Sequence, residues 1–435
     1  MSSTINNAHN SNNNNITTTI IPELRIGVGG NVDAGKSSFV GVVTKNVLDN
    51  GRGYARSFVM THQHEKVTGR TSSISQQYIR HDDKIIEFTD LAGHEKYLPT
   101  TISGIASSLI DYVAIIINSA TGIQQMTREH ISLVYAMKLP MFIVYTKIDM
   151  CPKNIYEINL DYINTFYNKK MNLDTTIIND SNHLNEFLKT YTHTSRTIPI
   201  FPISNVSGQG LDTLRQFIYS LKQYINYNEL NNCETNFIMS KHYSVAGIGL
   251  VVSGVMKSGT IRKGDVLYIG PNSEGFIRNH KNVIIGESNN QTPNYYKIVI
   301  KGIHNNFRET IDILQAGHSG CFNIKPVGKF ILKRSMLKKG MRIVSQINSV
   351  RQFEAKIKIF HNPSTITKKY QPTVHVGGIS QSVQILEMDK EFLRSHDEAR
   401  VKLKFMYKPE FIEPGSIFVF REGNLKGLGK ITNVF

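Results

Sequence analysis

The chain has 435 residues, of which 40% are hydrophobic, and it carries a formal net charge of +16 and three cysteines. This length exceeds one ordinary hydrophobic core, so we expect two to four domains. No run of roughly eighteen apolar residues predicts a membrane-spanning helix, and the cysteines lack the spacing of a disulfide framework or a zinc site. We therefore expect a cytoplasmic protein with no membrane partner.

The first 21 residues are rich in Asn, Ser and Thr and contain neither Lys nor Arg. They lack the charged and apolar regions of a secretory signal. Such a segment cannot bury enough apolar surface to offset its ordering entropy, so residues 1–21 are predicted to form a disordered tail.

A phosphate-binding loop is predicted next. Residues 24–28 are β-prone, and apolar residues from 39 to 47 recur at helical spacing. Between them lies a match to GxxxxGK[ST], namely Gly30, Asn31, Val32, Asp33, Ala34, Gly35, Lys36 and Ser37. Strand, glycine loop and helix in this order hold phosphates through backbone N–H groups and the helix N-terminus. We predict that Lys36 contacts the β- and γ-phosphates, that Ser37 binds Mg²⁺, and that Ser38 adds to the same site.

A carboxylate follows the next predicted strand. Residues 84–88 lead into Asp90-Leu91-Ala92-Gly93, a DxxG motif. An Asp at a strand end can hold the Mg²⁺ shell, and the N–H of Gly93 can sense the γ-phosphate.

Two later segments predict the recognition of guanine. Strand-like residues 141–145 precede Thr146-Lys147-Ile148-Asp149. Asp149 would accept hydrogen bonds from the N1 and N2 donors of guanine, which adenine does not have, and the stem of Lys147 would cover the base. Residues 198–201 lead to Ser204-Asn205-Val206, whose backbone can reach the guanine O6. These four motifs, each just past a strand, predict a GTP-binding domain over residues 22–230.

The motifs resemble those of the translational GTPases, the family of elongation factor Tu and eukaryotic elongation factor 1 alpha. The His94 that directly follows DxxG belongs to this general likeness. The segments most similar to the branch of GTP-binding protein 1 and GTP-binding protein 2 are the phosphate loop and residues 69–73, 146–150, 420–423 and 429–432. In this branch the usual Asn of the guanine-reading motif is also replaced by Thr, as at Thr146.

The resemblance implies three further properties. Thr71 would be the switch threonine that binds Mg²⁺ in the GTP state, alongside Ser37 and Asp90. His94 would be the catalytic residue that positions the attacking water, since phosphoryl transfer depends on positioning and charge stabilisation. The sequence assigns no arginine to the phosphates, so hydrolysis is expected to be slow until a large partner binds.

The C-terminal half changes to short alternating segments separated by glycines, typical of β-strands. The resemblance implies two antiparallel β-barrels, over residues 231–346 and 347–435, after an α/β domain with a mostly parallel sheet and helices on both faces. The segment between Asp149 and Ser204 is longer than this fold needs and is predicted to be a surface insertion.

From Lys325 to the end of the chain there are 21 Lys and Arg against 9 Asp and Glu. This excess favours a polyanionic partner such as RNA, although a merely solubilising surface would look the same. The resulting hypothesis is a monomeric GTPase that acts on the ribosome with aminoacyl-tRNA or a tRNA-like partner, in elongation, rescue or mRNA surveillance. Two alternatives remain: a carrier of a termination or surveillance protein, and a regulatory GTPase subunit of a metabolic enzyme. The need for an exchange factor stays open.

Overall fold

The computed structural model describes residues 21–60, 75–94, 101, 105, 108–223, 225–272, 276–278, 284–287, 295–360, 365–422 and 424–435. Residues 1–20, which belong to the predicted tail, and Thr71, the predicted switch threonine, lie outside the described residues. The described chain forms an α/β nucleotide domain followed by two antiparallel β-barrels.

The nucleotide domain is built on a seven-stranded sheet in the order β2-β3-β1-β4-β5-β7-β6. Only the edge strand β2 is antiparallel to its neighbour, and the other pairings are parallel. The strands are β1 (Glu23–Gly30), β2 (Ser75–His81), β3 (Lys84–Asp90), β4 (Tyr112–Asn118), β5 (Met141–Thr146), β6 (Asp174–Ile177) and β7 (Thr197–Pro202).

Helices cover both faces of this sheet. In the central strand β4, Ala114 and Ile116 belong to one buried cluster, and Ile115 and Ile117 belong to the other. A strand buried on both faces explains the almost continuous apolar run in the sequence. The helices are α1 (Lys36–Lys45), α2 (Tyr54–Ser57), α3 (Gln125–Ala136), α4 (Lys153–Met171), α5 (Ser181–Leu188), α6 (Leu211–Ser220) and α7 (Tyr227–Leu230), and a 3₁₀ turn spans Ile148–Met150.

The segment predicted as a surface insertion is part of the sheet. It forms α4, the edge strand β6 and α5, and β6 pairs in parallel with β7. Ile163 and Tyr167 on α4 are fully buried and join the core on one face of the sheet. The sequence did not indicate this because the apolar positions of α4 are sparse and its remaining face is polar.

The first barrel is a closed ring of six strands in the order β11-β18-β8-β9-β17-β14, closed by pairing between β14 and β11. Its interior is apolar. The strands of the ring are β8 (Asn236–Val245), β9 (Gly249–Ser258), β11 (Val266–Gly270), β14 (Tyr296–Asn305), β17 (Ser319–Pro326) and β18 (Arg342–Val344). The short strands outside the ring are β10 (Thr260–Arg262), β12 (Phe276–Arg278), β13 (Ile284–Glu287), β15 (Thr310–Ile311) and β16 (Ile313–Gln315), and a 3₁₀ turn spans Arg334–Met336.

The second barrel is a closed ring of six strands around a separate apolar core. Val419 points away from that core and joins the buried cluster of the nucleotide domain, so this barrel packs directly on the α/β sheet layer. The strands are β19 (Gln352–Ile359), β20 (Thr373–Val376), β21 (Ile379–Met388), β22 (Glu398–Phe405), β23 (Ile417–Glu422) and β24 (Asn424–Val434).

The first barrel is joined to the nucleotide domain by a buried polar cluster around Arg25. One guanidinium nitrogen, Nη2, donates to Glu23 Oε2 at 2.7 Å and crosses the interface to the backbone carbonyl of Gly317 at 2.7 Å. The same nitrogen lies 3.0 Å from the hydroxyl of Ser319, whose own N–H donates to Glu23. Within the part of the chain described, no helix is both long and apolar enough to span a membrane.

Candidate functional site

The phosphate loop lies where β1 ends and α1 begins. Gly30 has φ 140°, and a Cβ there would come within 2.4 Å of the Ile116 carbonyl oxygen, so only glycine fits. The ammonium of Lys36 donates to the Asn31 carbonyl at 2.7 Å, which holds the side chain across the loop. Burial lowers the pKa of Lys36, and the carboxylates of Asp90 and Asp33 oppose this effect. The loop therefore presents a fixed cation where a phosphate can replace the carbonyl oxygen.

Two of the three predicted metal ligands meet beside this loop. The hydroxyl of Ser37 donates to Asp90 Oδ2 at 2.6 Å, and Asp90 is fully buried at the end of β3. A hydroxyl and a carboxylate oxygen are hard ligands of the kind that Mg²⁺ prefers, so the donor set fits that ion. Thr71, the third predicted ligand, lies outside the described residues.

The DxxG segment closes one end of the site. A Cβ on Gly93 would lie 2.3 Å from Lys36 Nζ and 2.9 Å from the Gly30 carbonyl oxygen. Gly93 thus approaches the phosphate loop as only glycine can, and its neighbour His94 lines the same cavity. This places both residues at the lysine end of the site.

The predicted guanine-reading loops lie at the other end. Thr146 is fully buried, and its hydroxyl donates to the Ala34 carbonyl of the phosphate loop at 2.7 Å. The hydroxyl of Ser204 accepts hydrogen bonds from the N–H groups of Val206 and Ser207, at 3.2 and 3.0 Å. Both hydroxyls therefore hold loop backbone in place. The residues at this end that line the cavity, and so can contact a base, are Lys147, Asp149 and residues 205–206.

A cavity of about 350 Å³ joins these elements. Twelve of the residues predicted from sequence line it: Val32, Asp33, Gly35, Lys36, Ser37, Ser38, Gly93, His94, Lys147, Asp149, Asn205 and Val206. The remaining described ones form the supporting contacts given above or belong to the loop itself: Gly30, Asn31, Ala34, Asp90, Thr146 and Ser204.

Sequence reasoning missed several residues of the site. Asp49, Gly51, Arg52, Gly53, Arg56 and Met150 also line the cavity. The only local signal for the first five is the Gly51-Arg52-Gly53 tripeptide, since glycines on both sides of a charged residue indicate a turn that approaches other backbone closely. Nothing in the local sequence indicates that this turn would reach the phosphate loop.

Known proteins are similar to this chain over most of its length. Residues 22–224 match the family model described as the elongation factor Tu GTP binding domain. The chain is 36% identical to GTP-binding protein 1 of Xenopus laevis, over 95% of the chain and 63% of that protein. It is 33% identical to GTP-binding protein 2 of Homo sapiens, over 95% of the chain and 69% of that protein. The chain thus spans less than two thirds of the first of these relatives.

Solved structures share the fold at low sequence identity. The GTPase-like domain of S. cerevisiae Ski7, bound to GTP, has a TM-score of 0.71 at 12% identity, over 95% of this chain and 98% of that one. Elongation factor SelB of Methanococcus maripaludis, in complex with GppNHp, has a TM-score of 0.69 at 17% identity, over 95% and 80%. The bacterial selenocysteine-specific elongation factor EF-Sec has a TM-score of 0.68 at 18% identity, over 94% and 58%.

Proposed function

Because the chain belongs to the family of GTP-binding protein 1 and GTP-binding protein 2, with a GTPase domain of the elongation factor Tu type, we propose that it is a translation-factor-like switch. It hydrolyses GTP to GDP and phosphate on the ribosome, together with aminoacyl-tRNA or a tRNA-like partner, in elongation, rescue or mRNA surveillance. In this proposal the protein acts in the cytoplasm, which contains both ribosomes and GTP. The domain limits that we assign are 22–230, 231–346 and 347–435.

In this proposal the two ends of the cavity bind different parts of the nucleotide. Asp149 and Lys147 bind the base, and the phosphate loop with Lys36 holds the β- and γ-phosphates. Ser37 and Asp90, together with Thr71, hold Mg²⁺, which supplies charge neutralisation for the phosphates. His94 hydrogen-bonds the attacking water beside Gly93, whose N–H faces the γ-phosphate. No covalent intermediate is needed, since positioning and electrostatics carry phosphoryl transfer.

The RNA partner rests on one observation, a basic cavity on the first barrel whose described lining contains no carboxylate. It has a volume of about 490 Å³ and is lined by His242, Arg334, Ser335, Leu337, Lys338 and Lys339. Burial lowers the pKa of His242, and the nearby charges of Arg334 and Lys338 lower it further. Burial and the charge of Lys241 lower the pKa of Lys339 in the same way. Across the described residues, none of these cations forms an ion pair.

A cluster of mutually repelling cations is stabilised by a bound polyanion. Binding of RNA phosphates would release counterions and relieve the repulsion within the cluster. The 334–339 segment lines this cavity, so it is the part of the basic C-terminal region that we assign to the RNA.

Ribosome-stimulated hydrolysis tests the proposal first. GTP turnover is measured with and without ribosomes for the wild type and for His94→Ala. We expect strong stimulation in the wild type and its loss in the variant, with GDP binding retained. GTP binding without any response to ribosomes would contradict the ribosomal role and favour the regulatory subunit of a metabolic enzyme.

The basic cavity is tested with a matched pair of triple variants. Arg334→Gln/Lys338→Gln/Lys339→Gln removes three charges from the cavity, and Lys153→Gln/Lys169→Gln/Lys189→Gln removes three exposed charges from the nucleotide domain. Binding of aminoacyl-tRNA is followed as a function of salt. The first variant should bind more weakly, with a salt slope smaller by roughly 0.7–0.9 per lost phosphate contact. Equal losses in both variants would mean that only net charge matters. RNA binding unchanged in both, with ribosome stimulation intact, would favour a carrier of a protein.

A further inference from the structure

The segment that follows α1 brings two arginines into the nucleotide cavity. Arg52 and Arg56 line it together with Asp49, Gly51 and Gly53. None of the motifs that predict the site includes these residues. The side chain of Arg52 is exposed and that of Arg56 is half-buried, and within the described chain neither forms an ion pair.

The backbone that carries these arginines is fixed on both sides of the cavity. The N–H of Asp49 donates to the Asn205 carbonyl at 2.8 Å, which ties the segment to the predicted base-binding loop. The Asp49 carboxylate accepts the Ala55 N–H at 3.0 Å and the Ser38 hydroxyl at 3.3 Å. Asp49 therefore joins α1, the arginine-bearing turn and the 205 loop through three hydrogen bonds.

The turn itself is also ordered by local contacts. The side-chain carbonyl of Asn50 accepts the N–H groups of Arg52 and Tyr54 at 2.9 and 3.2 Å. Gly53 has φ 90°, and a Cβ there would lie 2.2 Å from the Arg56 Nε, so the Arg56 side chain folds back over this glycine. The two guanidinium groups are thereby presented from a preorganised turn.

The position of the turn along the cavity determines which phosphates it faces. Gly93 packs against the ammonium of Lys36, which marks the γ-phosphate end. Asp49 is bonded instead to Ser38, one residue further along α1 than Ser37, and to Asn205 at the base end. The turn that carries the arginines is thus anchored between the base end and the lysine end of the cavity.

We propose that Arg52 and Arg56 bind the α- and β-phosphates of the guanine nucleotide. A planar guanidinium forms paired, charge-assisted hydrogen bonds with phosphate oxygens. Among the described residues, neither arginine pairs with a carboxylate that a nucleotide would have to displace. GDP and GTP both carry these two phosphates, so the arginines add affinity for both nucleotides equally. They hold the product after hydrolysis and leave the chemical step to His94 and the γ-phosphate end. The inference rests on the GTP-binding domain and is independent of ribosome or RNA binding.

The test uses Arg52→Gln, Arg56→Gln and the double variant in the full chain. Arg128→Gln is the control, because Arg128 is an arginine of the same domain on α3 that does not line this cavity. Dissociation constants are measured for GDP, GTP and guanosine in the presence of Mg²⁺, together with single-turnover hydrolysis of bound GTP. Melting temperatures without nucleotide show that each variant is folded.

We expect the double variant to bind GDP and GTP about 10- to 100-fold more weakly, by the same factor for both, with guanosine binding unchanged. The single-turnover rate of saturated enzyme should stay within about 2-fold of wild type. Unchanged GDP and GTP affinity would overturn the proposal. So would a parallel loss of guanosine affinity, which would indicate a purely structural role, or a fall in the hydrolysis rate alone, which would place the arginines at the γ-phosphate.

Discussion

The imidazole of His130 lies directly behind the phosphate loop, where its Nδ1 accepts a hydrogen bond from the backbone N–H of Gly30 at 2.8 Å. The ring is almost fully buried on α3, and a Cβ on Gly29 would lie 3.3 Å from the same nitrogen. Burial, with a smaller effect from Lys36, lowers the pKa of His130 to about 3. The ring is therefore neutral with its proton on Nε2. Its hydrogen bond holds the N–H of Gly30, the first residue of the phosphate loop, although the two residues are 100 positions apart in sequence.

Replacing His130 should loosen the phosphate loop. His130→Phe keeps a ring of similar size but leaves the Gly30 N–H buried without an acceptor, which costs about 1–3 kcal/mol. We expect GDP to dissociate about 10-fold faster or more. His130→Asn is the matched variant, because its Oδ1 is attached to Cγ as Nδ1 is and can accept the same hydrogen bond. The release of a fluorescent GDP analogue measures both variants. Faster release in Asn than in Phe would show that ring packing, and not the hydrogen bond, is what matters.

Thr146 should contribute to nucleotide affinity through the phosphate loop and not through the base. Its hydroxyl donates to the Ala34 carbonyl at 2.7 Å, linking the guanine-reading strand to the loop. Thr146→Val has nearly the same shape without the donor, and Thr146→Ser retains the hydroxyl. We expect the Val variant to lose about 1 kcal/mol of GDP binding, roughly 5-fold in dissociation constant, and the Ser variant to stay closer to wild type. Isothermal titration with GDP decides between them; equal affinities for wild type and Val would refute the linking role.

Much of the nucleotide site follows from local sequence because its groups sit at strand ends. Lys36, Asp90 and Asp149 each follow a β-prone run, and the carboxyl ends of parallel strands meet at one edge of the sheet. Asp49 and Arg52 have no such local cue. Their place depends on a hydrogen bond between Asp49 and Asn205, which lie far apart in sequence, and no periodic pattern encodes such a contact.

The barrels were predictable as strand-rich segments, but their closure and packing were not. Alternation of apolar and polar residues indicates a strand but does not show which other strand it pairs with. The pairing of β14 with β11 could therefore come only from the resemblance or from the structure. Arg25 shows the same limit. In sequence it is a charged residue within a largely apolar strand, and nothing there indicates that its guanidinium will be buried and will donate to Gly317 and Ser319 of the first barrel.

Removing Arg25 should destabilise the joint between the nucleotide domain and the first barrel. Arg25 lies 2.7 Å from Glu23 and 3.5 Å from Glu87, and all three side chains are buried. Arg25→Met would leave two buried carboxylates without their cation, a loss of about 3–5 kcal/mol in the free energy of unfolding. The comparison is Arg80→Met, which breaks the pair with Glu309.

The Arg80–Glu309 pair spans the same two domains, but both side chains are about half exposed, at 47% and 53%. Its removal should therefore destabilise the protein much less than the removal of Arg25, because exposed ion pairs contribute little to stability. Urea unfolding of both variants, followed by circular dichroism, measures the difference. Similar losses for the two would mean that the buried cluster contributes no more than a surface pair.

His375 should make the stability of the second barrel sensitive to acid. It is 1% exposed on β20, and neither ring nitrogen has a hydrogen-bond partner among the described residues. Burial, together with the charge of Arg421, lowers the pKa of His375 to about 4. A histidine with a lowered pKa in the folded state takes up its proton more readily when unfolded. Its contribution to stability is thus complete above pH 6.5 and is lost as the pH falls from 6.5 towards 4.

Between pH 7 and pH 5 this effect amounts to about 2 kcal/mol of unfolding free energy. His375→Phe, which cannot be protonated, should lose about that much less stability than wild type over the same interval. The control is His183→Phe, which makes the same replacement at an exposed position of the nucleotide domain. Urea unfolding at pH 7 and pH 5 measures all three proteins. Parallel pH profiles for wild type and His375→Phe would show that this histidine gains a partner for its proton in the folded barrel.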